Sequence, residues 1–101
     1  MNYVSRLYEL GALPVIRPGT TQMMTVGSSS TQSAAVNGTV ARLVANVDCH
    51  ILFGPSPVAD TTCLFLPANT PEYFACYGTD LVAVICDSTN GVLYITPAVE
   101  A

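Results

Sequence analysis

Asp48, Cys49 and His50 place a carboxylate, a thiol and the only imidazole of the chain side by side. Such residues can form a nucleophilic centre, in which the imidazole activates the thiol, or can supply metal ligands. They lie, however, at the start of CHILFG (residues 49–54), a run that is typical of a β-strand. Successive side chains of a strand point to opposite faces, so Cys49 and His50 cannot converge on one atom. We therefore predict an ordinary strand, with Cys49 facing the core and His50 facing away.

The other cysteines give no stronger sign of chemistry. The four cysteines contain no C-x-x-C pair, which structural zinc sites typically have in duplicate, so no metal site is expected. Three disulfide pairings are arithmetically open to them. The N-terminal residues do not have the pattern of a secretory signal, so we expect reduced thiols that act as small buried apolar groups. The thiols lie at positions 49, 63, 76 and 86.

The carboxylates do not form a convincing acid–base pair. Asp80 and Asp87 flank the apolar run LVAVIC, and a strand of that length would hold them about 20 Å apart, beyond the roughly 5–9.5 Å of glycosidase pairs. Asp48, Asp60 and Asp87 are interpreted as turn acids that accept hydrogen bonds from backbone amides. No catalytic, cofactor-binding or metal-binding residue is predicted, and the chain is not expected to be an enzyme.

Charge and length limit the kinds of partner. The chain has 101 residues, enough for one domain, and half of them are apolar. Only 10 % are charged, against about 25 % in a typical soluble domain, so we expect part of the surface to be covered by other protein. The net charge is −4, without a lysine, which disfavours direct binding of nucleic acid or of an anionic membrane.

The elements that carry these residues are predicted to be strands. Runs rich in Val, Ile, Tyr, Phe and Thr alternate with turn residues, and Asn37-Gly38 and Asn90-Gly91 have the sequence of type I′ hairpin turns. About eight short strands without a helix in the body predict an all-β sandwich or jelly roll, residues 20–101. The predicted strands are 22–27, 33–36, 39–47, 49–54, 62–66, 72–77, 81–86 and 92–96.

Residues 1–19 are predicted to form an extended N-terminal arm. The first ten residues have helix-like apolar spacing but are too few for a stable isolated helix. Pro14 and Pro18 favour an extended path for the chain that follows. An apolar arm of this kind is expected to contact a partner protein. The predicted contact residues are Tyr3, Val4, Leu7, Tyr8 and Leu10.

Residues 40–97 carry a recognisable order of segments. DCHILFG ends a strand, an Ala/Thr-rich loop follows, then LPANTPEYF, and the finish is LVAVI and STNGVLYIT. This order resembles small virion proteins of tailed bacteriophages. The resemblance implies a β-sandwich protein of the capsid cement or decoration type, which binds and stabilises the capsid shell. The implied partners are the major capsid protein, other virion proteins and further copies of the same chain. The protein would assemble in the host cytoplasm and remain in the virion. No cofactor is expected.

Two alternatives stay open at this point. The same composition suits a phage tail, connector or fibre-attachment component. A carbohydrate-binding β-sandwich is the third hypothesis, although the chain has no tryptophan and its tyrosines mostly fall within predicted strands.

Overall fold

The computed structural model describes residues 15–100. This part of the chain contains nine strands in two antiparallel sheets and no helix, which confirms the predicted fold class. The strands are β1 (Ile16–Pro18), β2 (Gln22–Val26), β3 (Thr31–Gln32), β4 (Val40–Ala45), β5 (Cys49–Gly54), β6 (Leu64–Leu66), β7 (Glu72–Ala75), β8 (Leu81–Cys86) and β9 (Gly91–Glu100).

The strand order is that of an eight-stranded jelly roll with one added strand. Sheet A has the order β1-β9-β4-β7, with β2 also paired to β9, and sheet B has the order β3-β8-β5-β6. Strand β2 therefore pairs with β9, β3 with β8, β4 with β7 and β5 with β6. The chain from β2 to β9 is thus one long hairpin that is rolled into two layers, and every link except β5–β6 crosses from one sheet to the other.

Alternation along the strands fills the space between the layers. In β4, Ala41, Leu43 and Ala45 are buried while Arg42 is half-buried on the outside, the alternation expected of a strand with one face in the core. Strand β8 is buried on both faces over Val82–Val84 and lies between β3 and β5, in agreement with its apolar run. Burying side chains of this size contributes roughly 1.5–3 kcal/mol each before the entropy of ordering is subtracted.

The two Asn-Gly pairs do not form type I′ hairpins, so that prediction is wrong. Asn37-Gly38 joins β3 to β4 and Asn90-Gly91 joins β8 to β9, and each link crosses between the sheets. A type I′ turn needs positive φ at both central residues. Within residues 15–100, positive φ angles occur at Asn69 and Gly78 instead.

Lack of space for a Cβ atom explains why glycine occupies positions 38 and 91. A Cβ on Gly38 would lie 2.6 Å from the carbonyl oxygen of Ala98. One on Gly91 would lie 2.6 Å from a methyl carbon of Val47. Glycine is therefore required at both positions for space rather than for φ.

Residues 33–36 follow sheet B without forming the predicted strand. Gln22 explains this, since its side-chain amide donates to the carbonyl oxygens of Ala34 and Ala35, and its oxygen accepts from Ala34 N at 3.0 Å. A side chain from sheet A thus satisfies backbone groups that a ladder would otherwise pair. The two sheets are joined at this open edge, and β3 is confined to Thr31–Gln32.

The last part of the predicted arm lies in sheet A. Strand β1 pairs Ile16 with Glu100 and Pro18 with Ala98, so residues 16–18 belong to the sheet although the predicted domain begins at residue 20. Strand β9 is correspondingly longer than predicted, because β1 supplies a partner for its end. Strand β4 reaches only Ala98, so the β1–β9 ribbon extends beyond the rest of the sheet.

Candidate functional site

His50 is the best-connected polar side chain on the outside of sheet B. Cys49 and Ile51 are buried in the core, so His50 points to the opposite face, as predicted from strand alternation. It is nevertheless buried, because Phe65 of the neighbouring strand packs on it with ring centroids 5.5 Å apart. The predicted strand is therefore observed, and of its three candidate residues only His50 makes polar contacts on the outer face.

Both ring nitrogens of His50 face hydrogen-bond acceptors. Nε2 lies 2.9 Å from Asp87 Oδ1, and Nδ1 lies 3.1 Å from the carbonyl oxygen of Cys63. A carboxylate and a carbonyl only accept, so both contacts are hydrogen bonds only when both nitrogens carry protons. The geometry therefore fits the imidazolium form of His50.

The surroundings of His50 favour that charged form. The hydrogen bond to Asp87 is the largest cause that raises the pKa of His50 above its ordinary 6.5, and the Cys63 carbonyl adds to it, while burial opposes it. The charges of Asp87 and Asp60 act in the same direction as the hydrogen bonds. His50 thus links the end of β8 to the loop before β6 by a charge-assisted pair.

The three predicted turn acids divide into two groups. Asp48 accepts from Ala68 N and Asp60 accepts from Thr62 N, both at 2.8 Å, which agrees with the predicted role. The hydroxyl and amide of Thr62 hold the pKa of Asp60 below its ordinary value. Asp87 differs from the prediction, because its carboxylate binds the imidazole of His50. That partnership joins residues 37 positions apart and leaves no trace in local sequence.

The four cysteines are free thiols in this structure, and three of them are buried. Burial, followed by the charges of Asp48 and Cys86, raises the pKa of Cys49 to about 11. Burial also raises the pKa of Cys76. A thiol with a raised pKa has little thiolate at neutral pH, which makes Cys49 and Cys76 poor nucleophiles. Cys49 stands directly opposite Cys86 in the β5–β8 ladder.

Thiol titration is expected to count four free thiols in denaturant without reductant. In the native protein only Cys63, which is half-buried, should react rapidly with a thiol reagent such as 5,5′-dithiobis(2-nitrobenzoic acid). A denatured count of two would instead show one disulfide, for which Cys49 and Cys86 are the candidates because they lie opposite each other in the ladder. A Cys63→Ser variant is the control, and should remove only the rapid phase.

The rest of the described chain offers no candidate metal centre. Within residues 15–100, no group of three or more His, Cys, Asp or Glu side chains is placed to hold a metal ion. A shallow groove runs beside β1 between Gly19, Asn37 and Pro97. Its lining includes Arg17 but no carboxylate, thiol or imidazole, so it offers no acid–base pair.

The outer face of sheet A combines tyrosine, methionine and one arginine. Strand register places Met23, Tyr94 and Val44 in one row across β2, β9 and β4, and Arg42 beside Tyr73 in the next row. Met23 and Tyr73 are 68 % and 46 % exposed. We call these five residues the Tyr/Arg face. The one ion pair among the described residues is His50–Asp87, so Arg42 faces outward without a carboxylate from this part of the chain.

The outer face of sheet B is apolar and bordered by acids. Leu52 and Phe65 are 41 % and 44 % exposed, and Ile85 lies beside His50 in the ladder. Asp87 binds the imidazole of His50, and the charge of Asp60 helps to raise the pKa of that imidazole. We call Leu52, Phe65, Ile85, Asp60 and Asp87 the acidic apolar face. Near β3, the outer face of sheet B is covered by the β5–β6 loop, in which the Pro57 carbonyl oxygen accepts a hydrogen bond from the Gln32 side chain.

The predicted contact residues of the arm, Tyr3, Val4, Leu7, Tyr8 and Leu10, lie outside the described residues. The candidate contact surfaces that the structure does describe were not predicted from the sequence. The sequence feature that could have indicated them is the alternation of side chains along β4 and β5, which places Arg42 and Leu52 on outer faces.

Comparisons with protein-family models, with curated proteins and with solved structures found no match for this chain. The described residues contain no helix that is both long and apolar enough to cross a membrane. The fold and the site thus define an all-β jelly roll with apolar outer faces and a buried histidine that is paired with an exposed aspartate.

Proposed function

We propose that this chain is a structural virion protein that binds and stabilises a bacteriophage capsid shell through protein–protein contacts. The observation that carries the proposal is the exposure of large apolar side chains on the outer faces of both sheets. Tyrosine, phenylalanine, methionine and arginine, the side chains found there, are the types enriched at protein interfaces. Contact, rather than chemistry, is the activity that such a surface supports.

Two further features support a place in a virion. Jelly rolls are a recurrent fold of viral capsid proteins and of lectins. The segment order of residues 40–97 resembles small virion proteins of tailed bacteriophages. Assembly would take place in the host cytoplasm, with the major capsid protein or another virion protein as partner. A tail, connector or fibre-attachment position is the alternative location for the same contact function.

Electron cryomicroscopy of particles that contain the chain tests this proposal. Density for the jelly roll is expected on the capsid shell, at junctions between capsid subunits. Particles stripped of the chain should open at lower temperature than complete particles, and purified protein added back should restore the difference. Density confined to the tail would contradict the shell assignment, and particles with unchanged stability would contradict a cement function.

Deleting residues 1–13 is expected to weaken incorporation into particles while the jelly roll stays folded. The described strands begin at Ile16, so the deletion leaves β1 and its pairing with β9 intact. Incorporation and unfolding temperature should be measured together for the truncated and the full-length chain. Unchanged incorporation with a strongly lowered unfolding temperature would show that the segment covers the domain itself and is not an attachment arm.

A carbohydrate-binding function is the second candidate, favoured by the exposure of Tyr77, which is 75 % exposed and lies near Tyr73 in sequence. Its turn is held by Asp80, which accepts from Tyr77 N at 2.9 Å. Exposed aromatic rings are platforms on which sugars can stack. Glycan-array binding that is lost in a Tyr77→Ala variant, but kept in Tyr94→Ala, would favour this function over a purely structural one.

A further inference from the structure

The two outer faces of the jelly roll are complementary to each other. The Tyr/Arg face presents Arg42 among Met23, Val44, Tyr73 and Tyr94. The acidic apolar face lies on the other sheet, so the two surfaces look away from each other on opposite sides of one molecule. Neither can contact the other within a single copy, whereas each has exposed side chains that a separate neighbour can reach, Met23 and Tyr73 on one and Leu52 and Phe65 on the other.

Charge distinguishes the two faces. The Tyr/Arg face contains one ionised side chain, that of Arg42. The acidic apolar face has the carboxylates of Asp60 and Asp87, of which Asp87 is paired with His50. Asp60 is left as an exposed carboxylate without an arginine within ion-pair distance among residues 15–100. Among residues 15–100, the charge left without an ion pair is thus positive on the Tyr/Arg face, at Arg42, and negative on the acidic apolar face, at Asp60.

The side chains around the charges are also suited to each other. Leu52, Phe65 and Ile85 offer an apolar surface without lysine, and the tyrosines of the other face combine apolar rings with hydroxyl groups. Tyr and Arg are the residues that most often dominate interface energies. Charged groups at the edge of such a contact mainly set orientation and discriminate against wrong partners.

We propose that the Tyr/Arg face of one copy binds the acidic apolar face of a second copy. The contact is heterologous, since two different surfaces meet. Repetition of a heterologous contact produces a closed ring when the rotation closes and an open array when it does not. The second copy is therefore the partner whose chemistry both faces fit.

This inference deepens the proposed function and rests on its premise that the chain acts through protein contacts. It assigns the surfaces between copies, whereas the proposed function concerns the capsid shell. The two are separable by experiment. Self-association is measured on the purified full chain, and shell binding is measured on particles.

Sedimentation velocity over a range of concentrations tests the contact. The wild-type chain is expected to associate, and Arg42→Glu should lower the association constant by about tenfold or more because it places like charges opposite each other. Leu52→Lys, which adds a positive charge to the other face, should do the same. Arg17→Glu is the matched control, because Arg17 lies on β1 away from both faces and changes the net charge equally. Circular dichroism and thermal unfolding check that each variant is folded.

Mixing the two impaired variants gives the sharpest result. Arg42→Glu keeps an intact acidic apolar face, and Leu52→Lys keeps an intact Tyr/Arg face. An equimolar mixture should therefore form a dimer that does not grow further, although neither variant associates alone. Association that is equal in wild type and Arg42→Glu, a mixture that stays monomeric, or a wild type that remains monomeric at several hundred micromolar would overturn the inference. If wild-type chain that stays monomeric still binds the shell, the inference fails and the proposed function stands.

Discussion

Replacing Gly38 by alanine is expected to destabilise the protein by about 3 kcal/mol or to prevent folding, the upper end of overpacking effects. The added Cβ would lie 2.6 Å from the carbonyl oxygen and 3.0 Å from the amide nitrogen of Ala98. Both are backbone atoms of β9, the strand that pairs with β1, β2 and β4. They cannot move aside without disturbing Thr39 N, which donates to the same carbonyl at 3.0 Å.

Gly27 provides the matched control, since no atom lies within 4 Å of a Cβ at that position. Gly27→Ala should be neutral or stabilising by about 0.4–1 kcal/mol, because alanine restricts the unfolded chain. Chemical denaturation of the two variants beside wild type gives the comparison. A loss of less than about 1 kcal/mol in Gly38→Ala, below the usual range of overpacking effects, would mean that the β3–β4 link relaxes around the methyl group.

Replacing His50 by alanine is expected to cost about 2 kcal/mol of stability at pH 5.5, which is within the range for a hydrogen bond to a charged group. The substitution removes the bonds to Asp87 and to the Cys63 carbonyl, and it removes the ring on which Phe65 packs. The β5–β6 loop and the end of β8 would then lose their connection across the outside of sheet B.

The stability difference between wild type and His50→Ala should depend on pH. The pKa of His50 is raised in the folded protein above its ordinary 6.5, so the folded state holds the proton more tightly than the unfolded chain. This stabilisation is fully present below pH 6.5 and is lost as the pH rises through the folded pKa. Denaturation at pH 5.5 and at pH 8.5 measures it, and a difference that grows with pH would contradict the imidazolium assignment.

Nuclear magnetic resonance gives the pKa directly, because the chain has one histidine. Asp87→Asn is expected to lower the pKa of His50, since the hydrogen bond to Asp87 is the largest cause of its rise. Asp48→Asn serves as the control, because the Asp48 carboxylate accepts from Ala68 N and does not bind the imidazole. Equal effects of the two substitutions would show that the overall negative charge, and not the hydrogen bond to Asp87, raises the pKa of His50.

Local pattern was enough to predict seven of the nine described strands, but it missed β1 and β3. The alternation of apolar and polar residues in β4 matches the burial of Ala41, Leu43 and Ala45, and the continuous apolar run of β8 matches its burial on both faces. These features depend on side-chain period and on burial, which adjacent residues encode. The direction of His50, away from the core, follows from the same rule.

Two findings depended on contacts between distant residues. Because β3 and β8 lie in one sheet and β4 and β9 in the other, Asn37-Gly38 and Asn90-Gly91 link the two sheets. Glycine is required in these links because there is no room for a Cβ. Asp87 lies 37 residues from His50 and meets it only because β5 and β8 are neighbours.

By itself, the sequence determined that the chain forms short strands with a shared apolar core, because the period of two is a local property. The tertiary structure alone decided which strands pair, and therefore that His50 is buried and partnered rather than solvated. It also decided that Arg42 and Leu52 lie on opposite outer faces, where each can meet another molecule. Strand order is set by the summed packing of both layers, and no single segment of sequence contains that sum.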